Sequence, residues 1–174
     1  MRALGPGSVS SILKVILDVS YYAMWVVAVL FAVGAAFALV QVFAPAALPP
    51  PSGGSARVIL THPASSAFGL ATGALGTLGG IVIVGRLRAL FAALTAGDPF
   101  HPDNVSHLRI IALVLAALQV GAYAGAAIRA LFHLEPGRGE TFNLIPWIAV
   151  LVILVLAEVF REGARLRREA ELTI

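Results

Sequence analysis

Imidazole and carboxylate side chains lie close together at one point of the chain, and they are the first candidates for chemistry. His101, Asp103 and His107 fall within seven residues, and neutral imidazole is a common metal ligand. The spacing differs from the histidine pair of an HExxH helix, and no further acidic cluster converges on these residues. His62 and His133 are predicted on the opposite side of a membrane and cannot complete the site. We therefore predict a surface loop here, and no metal or other cofactor.

The remaining sequence lacks the patterns of an active site. It contains no cysteine, which excludes disulfides, thiolate catalysis and cysteine-ligated metal centres. The glycines of the stretch 76–80 fall inside an apolar run, whereas a phosphate-binding loop connects a strand to a helix. No ionisable residue interrupts the long apolar runs, although proton paths and intramembrane active sites usually need one. We predict no catalytic residue and no enzymatic activity.

The composition indicates the class of protein to which the chain belongs. Apolar residues make up 59% of the chain and charged residues 12%, whereas a typical globular protein has about 25% charged residues. The mean hydropathy is +0.93. A soluble fold keeps its charges on the surface and needs more of them, and a disordered chain needs low hydrophobicity. The class that remains is an integral membrane protein.

Four runs without a formal charge predict four transmembrane helices. They hold 38, 28, 19 and 17 residues, and a helix crosses the hydrocarbon core with about 20. A charge at mid-membrane costs at least ~2.5 kcal/mol, so such runs mark spans. Prolines and glycines after Phe43 end the first span in a loop. The predicted spans are 20–43, 65–86, 109–131 and 144–161, with an interfacial helix at 8–19 and a helical tail at 162–174.

The basic residues are distributed unevenly between the two sides of this arrangement. Nine of the 12 Lys and Arg residues fall on the side of the two termini, and three fall on the other. The positive-inside rule therefore places both termini in the cytoplasm. The sequence predicts one multi-pass membrane domain, 1–174, whose first partner is the lipid bilayer. Because its basic residues flank the spans, we expect no direct nucleic-acid binding.

Small residues form a stripe along the second predicted span. The stripe consists of Gly69, Gly73, Gly76 and Gly80. Small residues allow membrane helices to approach closely, which is how such helices associate without a hydrophobic driving force. We favour packing against the other helices of this chain, and the alternative is the face of a homodimer.

The predicted cytoplasmic loop and tail carry the most distinctive polar residues. The stretch Gly97–Asn104 ends one helix with glycine, interrupts it with two prolines and starts the next with Asp and Asn. Beyond Glu158, opposite charges recur four residues apart, which predicts a helix that continues past the membrane. A solvated face or an anionic-lipid anchor would explain the same charges. We interpret loop and tail as a docking surface for a protein partner, formed by Asp98, Pro99, Phe100, Asn104, Arg161, Glu162, Arg165, Arg167 and Glu169.

An ion pair is expected where the third span begins and the fourth ends. Arg109 and Glu158 lie at the same predicted depth, and a charge without a partner near hydrocarbon is costly. We predict an Arg109–Glu158 pair, with Arg86 or Arg161 as the competing partner of Glu158.

The loop and the tail also resemble the DUF2975 family of small bacterial four-helix membrane proteins, whose function is undefined. The family pattern G-[DN]-P-F, followed by N and by L-R, is matched by 97–100, Asn104 and 108–109. Its tail pattern, F-R-x-G-x-x-L-R-x-E-x-x-L-T-[VI], is matched by 160–174, with Arg168 and Ala170 where Glu and Gln are expected. The resemblance implies four spans in the bacterial inner membrane with cytoplasmic ends. Members often lie beside a small helix-turn-helix regulator, which implies a transcription factor as partner.

The sequence thus predicts an all-α polytopic membrane protein, a bundle of four helices that acts as a non-enzymatic interaction or regulatory protein. The alternative is an accessory subunit of a membrane transport or respiratory complex, in which the glycine stripe packs against a larger partner.

Overall fold

The structure is a computed structural model, and it describes residues 9–44, 62–96, 102–134 and 142–172. Four long helices contain most of these residues: α1 (Val9–Phe43), α2 (Pro63–Thr95), α3 (Pro102–Leu131) and α4 (Ile145–Glu171). The described ranges contain no strand. The predicted all-α class is confirmed.

Three of the helices are long and apolar enough to cross a membrane: Ile12–Phe43, Pro63–Thr95 and Asp103–Leu131. In each of them at most 22% of the most apolar window is buried inside the protein. Outward-facing apolar surface of this extent is typical of contact with lipid. The three helices therefore support a membrane protein. The fourth helix, α4, has a shorter stretch without charge. This stretch holds 13 residues, from Ile145 to Ala157.

The first helix includes most of the segment that was predicted to lie at the interface. The segment 8–19 was expected to form a short interfacial helix leading into the first span, and α1 runs from Val9 to Phe43 as one helix of 35 residues. Between Val9 and Gly34 the sequence has no proline or glycine, so nothing local breaks the helix. At 1.5 Å per residue α1 is about 52 Å long. It is therefore longer than a hydrocarbon core of about 30 Å.

The helices contribute to two compact units. Unit 1 comprises Met1–Ala23, Gly79–Gln119 and Asn143–Ile174, and unit 2 comprises Met24–Leu78 and Val120–Phe142. The core of unit 1 joins α2, α3 and α4 through Leu90, Leu108 and Ala157, with Ile153 and Phe160 packed against them.

In unit 2, small residues bring α1 and α2 together. Ala28, Ala35 and Ala38 are buried on α1. On α2, a Cβ atom at Gly73 would lie 3.3 Å from the ring of Phe31. The close contact depends on the missing side chain, as is usual where membrane helices pack.

Candidate functional site

The start of α3 is inserted into unit 1. The helix begins at Pro102 with Asp103 in its first turn, and both residues suit that position because proline needs no hydrogen-bond acceptor and a carboxylate favours the positive helix end. Asn104 is 1% exposed and is the largest fully buried side chain. Buried residues follow it on the same face of α3: Val105, Leu108, Ile111 and Ala112.

The burial of Asn104 changes the predicted docking surface. Asn104 was expected to contact a partner, but a side chain that is 1% exposed has no surface to offer. Asp98, Pro99 and Phe100 lie outside the described residues, so their part in the surface stays a prediction.

The charged end of α4 is a continuation of the apolar helix. Ala157 and Ala164 are 1% and 6% exposed, and Phe160 packs against the unit 1 core. These three residues recur every three or four positions, so one face of the helix end is held against unit 1. The predicted tail residues are nevertheless all exposed: Arg161, Glu162, Arg165, Arg167 and Glu169.

Ion pairs within α4 connect most of these charges. Arg165 bridges two acids, with its Nη2 2.8 Å from Glu162 Oε1 and its Nε 3.3 Å from Glu169 Oε1. The guanidinium of Arg161 donates a hydrogen bond to the carboxylate of Glu158. Exposed pairs of this kind contribute only about 0.3–0.5 kcal/mol each. A partner can therefore exchange them for its own contacts at little cost.

The same pairs bear on the Arg109–Glu158 prediction. The structure gives Glu158 the competing partner, Arg161, three residues along its own helix. Arg109 is exposed on α3. A neighbour on the same helix is reached without any adjustment between helices, which explains the choice.

The glycine stripe of α2 is divided between packed and open positions. Gly73 faces Phe31, and a Cβ at Gly69 would lie 3.6 Å from Arg129 Nη2, whereas nothing lies within 4 Å of a Cβ at Gly76. Gly80 is half-buried. The tightest approach is at Gly79, where a Cβ would lie 2.7 Å from Leu118 Cδ2. The GxxxG pattern does not include Gly79, so the sequence did not identify the closest contact of α2.

A second charged region of unit 1 was not predicted. It is a cavity of about 620 Å³ between α1 and α2, lined by Lys14, Asp18, Tyr21 and Arg88 among others. Asp18 Oδ1 lies 2.7 Å from Arg88 Nε, and Arg88 Cζ lies 4.7 Å from the centre of the Tyr21 ring. A signal existed, because Asp18 and Arg88 are at or near the ends of the first two charge-free runs. Such charges tend to lie at one depth of the membrane.

Unit 2 has a smaller cavity of about 350 Å³ that is lined by Gln41, His62, Ser65 and His133. Gln41 is 7% exposed, and within the described part of the chain its Nε2 atom has no hydrogen-bond partner. His133 has a φ of 48°, in the left-handed region that favours glycine. It ends α3, since the Leu134 N–H bonds to the Arg129 carbonyl and the His133 N–H to the Ala130 carbonyl. These are the two bonds of a Schellman motif.

Metal ligands are not clustered in the described part of the chain. No group of three or more His, Asp or Glu side chains in these ranges could hold a metal ion. His101 lies outside them, so the expectation for the 101–107 segment is not tested.

Comparison with known families identifies the chain. Residues 43–174 match the family described as "Protein of unknown function (DUF2975)". The match covers three quarters of the chain and both segments that carry the resemblance. The chain belongs to the DUF2975 family. Curated proteins and solved structures give no significant match.

Proposed function

Starting from this family membership, we propose that the chain is a four-span protein of the bacterial cytoplasmic membrane that acts without catalysis, by docking a protein partner on its cytoplasmic side. The observation that carries the proposal is the end of α4, which is charged, exposed and attached to unit 1 through Ala157, Phe160 and Ala164. A helix end fixed in this way loses little conformational entropy on binding, which favours recognition.

The fourth span is supported by the surface of α4. Its apolar side chains are exposed on several faces, including Ile148 at 52%, Leu151 at 63% and Val152 at 56%. Such a surface needs lipid or another protein around it. The 13 uncharged residues from Ile145 to Ala157 cover about 20 Å. A short span is accommodated by bilayer thinning and by flanking side chains that reach the interface.

The orientation follows from the nine-to-three distribution of Lys and Arg. A reporter fused after Ile174 should be active on the cytoplasmic side, and the same reporter inserted within 50–56 should be active outside. If both reporters are active on the same side of the membrane, the four-span arrangement is wrong.

The docking surface now consists of the exposed tail residues and the segment around Phe100. Arginine and aromatic side chains supply most of the energy at protein interfaces, and the tail offers Arg161, Arg165 and Arg167, all exposed. The small helix-turn-helix regulators that accompany many family members are the first candidates for the partner.

Cysteine crosslinking tests the surface directly, because the chain has no cysteine of its own. Arg167→Cys places a single reactive site on the proposed surface. Leu151→Cys is the matched control, since Leu151 is 63% exposed but is expected to face lipid. In native membranes, a photo-activated crosslinker attached at 167 should capture one soluble protein that is absent at 151.

Loss of charge should then remove the captured protein. Arg161→Ala together with Arg165→Ala should abolish crosslinking from position 167, because both guanidinium groups are exposed and their intrahelical pairs are weak. Arg138→Ala also removes a positive charge, but on the predicted outer side, and should leave the crosslinking from position 167 unchanged. Equal crosslinking in the Arg167→Cys protein, in its Arg161→Ala and Arg165→Ala variant and in its Arg138→Ala variant would contradict the docking proposal.

The alternative is an accessory subunit of a larger membrane complex, and one observation favours it. The face of α2 around Gly76 is open, with Leu75 65% and Leu78 42% exposed. Small residues beside exposed apolar ones suit a helix from another chain. If the purified protein is stable in detergent as a monomer or homodimer by light scattering, an obligatory larger partner is excluded.

A further inference from the structure

The cavity between α1 and α2 in unit 1 combines cationic and apolar walls. Its α1 wall presents Lys14, Asp18 and Tyr21 at helical spacing, and its α2 wall presents Gly85, Arg88 and Thr95. Each wall is therefore one face of a helix. Gly85 gives room to the aromatic ring, because a Cβ there would lie 3.6 Å from Tyr21 Cε2.

The guanidinium of Arg88 is fixed in orientation within this cavity. Arg88 Nε lies 2.7 Å from Asp18 Oδ1. The centres of the Tyr21 and Tyr22 rings lie 4.7 and 5.8 Å from Arg88 Cζ. Within the described ranges the two terminal amino groups of Arg88 make no hydrogen bond, so they are available to a ligand. Such groups bind phosphate in a bidentate fork.

Lys14 adds a second cation to the cavity, on the α1 wall opposite Arg88. It lies one turn before Asp18 on α1, its side chain is exposed, and it lines the cavity. Lys14 and Arg88 together outnumber Asp18, so the cavity has a net charge of about +1. It therefore attracts an anion at the side of Lys14 and the free edge of Arg88.

The depth of the cavity points to the lipid headgroups. From Val19 to Phe43, α1 has 25 residues without charge, and from Pro63 to Gly85 α2 has 23. At 1.5 Å per residue these stretches measure about 37 and 34 Å. Each is enough to cross a hydrocarbon core of about 30 Å. Asp18 and Arg88 thus lie where both helices leave the hydrocarbon, at the level of the lipid phosphates.

We propose that this cavity binds a phosphate group, and that the group is carried by an anionic lipid. The phosphate lies between Lys14 Nζ and the terminal amino groups of Arg88, and the beginning of the acyl chains contacts Leu17 and Phe91, which also line the cavity. Basic pockets between transmembrane helices are known to hold anionic headgroups. The site is independent of the docking proposal, because none of its residues belongs to the tail.

Lipid binding by the full chain in neutral detergent tests the site. The probe is phosphatidylglycerol, with zwitterionic phosphatidylcholine for comparison, and the readout is the lipid-bound fraction by native mass spectrometry. We expect phosphatidylglycerol to bind more tightly than phosphatidylcholine. Lys14→Gln should weaken phosphatidylglycerol binding about fivefold, as expected for the loss of one cation next to an anionic lipid. Because the Lys14 side chain is exposed, we expect this variant to keep the fold.

Arg86→Gln is the matched control. Arg86 is two residues from Arg88 on α2 but does not line the cavity, so its loss should change binding less than twofold. Equal loss in Lys14→Gln and Arg86→Gln would show only general attraction to the membrane surface and would overturn the site. Unchanged binding in both would overturn it as well.

A third arm separates the two sources of phosphate. Inorganic phosphate at millimolar concentration should not displace phosphatidylglycerol, since it lacks the acyl chains that contact the apolar wall. Competition by inorganic phosphate that depends on Lys14, without selective lipid binding, would overturn the lipid as the source.

Discussion

The contact between Gly79 and Leu118 allows a matched pair of substitutions on one helix. Gly79→Ala adds a methyl group that would lie 2.7, 2.9 and 3.0 Å from three carbon atoms of Leu118. Real Cβ atoms do not approach other atoms below about 3 Å, so the whole Leu118 side chain must move. Gly76→Ala adds the same methyl group on the same helix, three residues earlier, with nothing within 4 Å.

The difference between the two variants isolates the cost of the contact. Both gain helix propensity of about 0.8–1 kcal/mol, since alanine is favoured over glycine inside a helix. Overpacking of a close contact costs about 1–3 kcal/mol, and it applies to Gly79→Ala alone. We therefore expect Gly79→Ala to be about 1–3 kcal/mol less stable than Gly76→Ala, and Gly76→Ala to equal or exceed the wild type.

Unfolding by SDS in mixed micelles, followed by the fluorescence of the two tryptophans, measures these differences. A third variant, Gly79→Ala with Leu118→Ala, provides the space that the new methyl group needs. It should be less unstable than the sum of the single changes, because residues in contact are not additive. If the two alanine variants are equally stable, or if the double variant is strictly additive, α2 and α3 do not make the contact.

Two further predictions concern the cavity of unit 2, and the same SDS unfolding assay measures both. Gln41→Leu should raise the free energy of unfolding by about 1–3 kcal/mol, because it removes a buried amide nitrogen that has no hydrogen-bond partner among the described residues. Gln41→Glu should lower the free energy of unfolding, and a rise in both variants would refute the reasoning. His133→Gly should stabilise the protein by about 0.5–1 kcal/mol, since the φ of 48° strains every residue except glycine. Leu131→Gly, two residues earlier in the regular helix, should instead cost about 1 kcal/mol, and equal effects at both positions would exclude a left-handed His133.

The sequence predicted those features that depend on local pattern. Charge-free runs located the apolar helices, because a charge in hydrocarbon is costly wherever it occurs in the chain. The glycine, the two prolines and the two acidic residues between 97 and 103 correctly separated α2 from α3. At the start of α1, Lys14 and Asp18 indicated a position at the interface, which stays a prediction. Charges do not interrupt a helix, and only the absence of proline and glycine decided its continuity.

Features that depend on distant residues were not predictable from the sequence. Asp18 and Arg88 are 70 positions apart; the charge-free runs indicate a similar depth for both residues but not that their side chains meet. Asn104 is polar and lies in the first turn of α3, where a polar side chain is usually exposed. Its burial depends on the core around it, where Leu90 and Ala157 come from α2 and α4. Gly79 was missed for the same reason, since its neighbour Leu118 lies on α3.

The two charged regions of unit 1 differ in how their charges are balanced, and this difference favours different partners. In the α4 tail, Arg161 and Arg165 are matched by acids on the same helix. A surface with balanced charges has little attraction for a membrane, and it gains specificity only when a partner presents its own pattern of charges. In the α1–α2 cavity, Asp18 balances Arg88, and Lys14 remains. A net positive cavity at headgroup depth favours an anionic lipid without requiring a shaped protein surface. Added salt should therefore weaken lipid binding at the cavity, because it screens the charge of Lys14. Partner binding at the tail depends instead on how well the charges of the partner replace the ion pairs within α4.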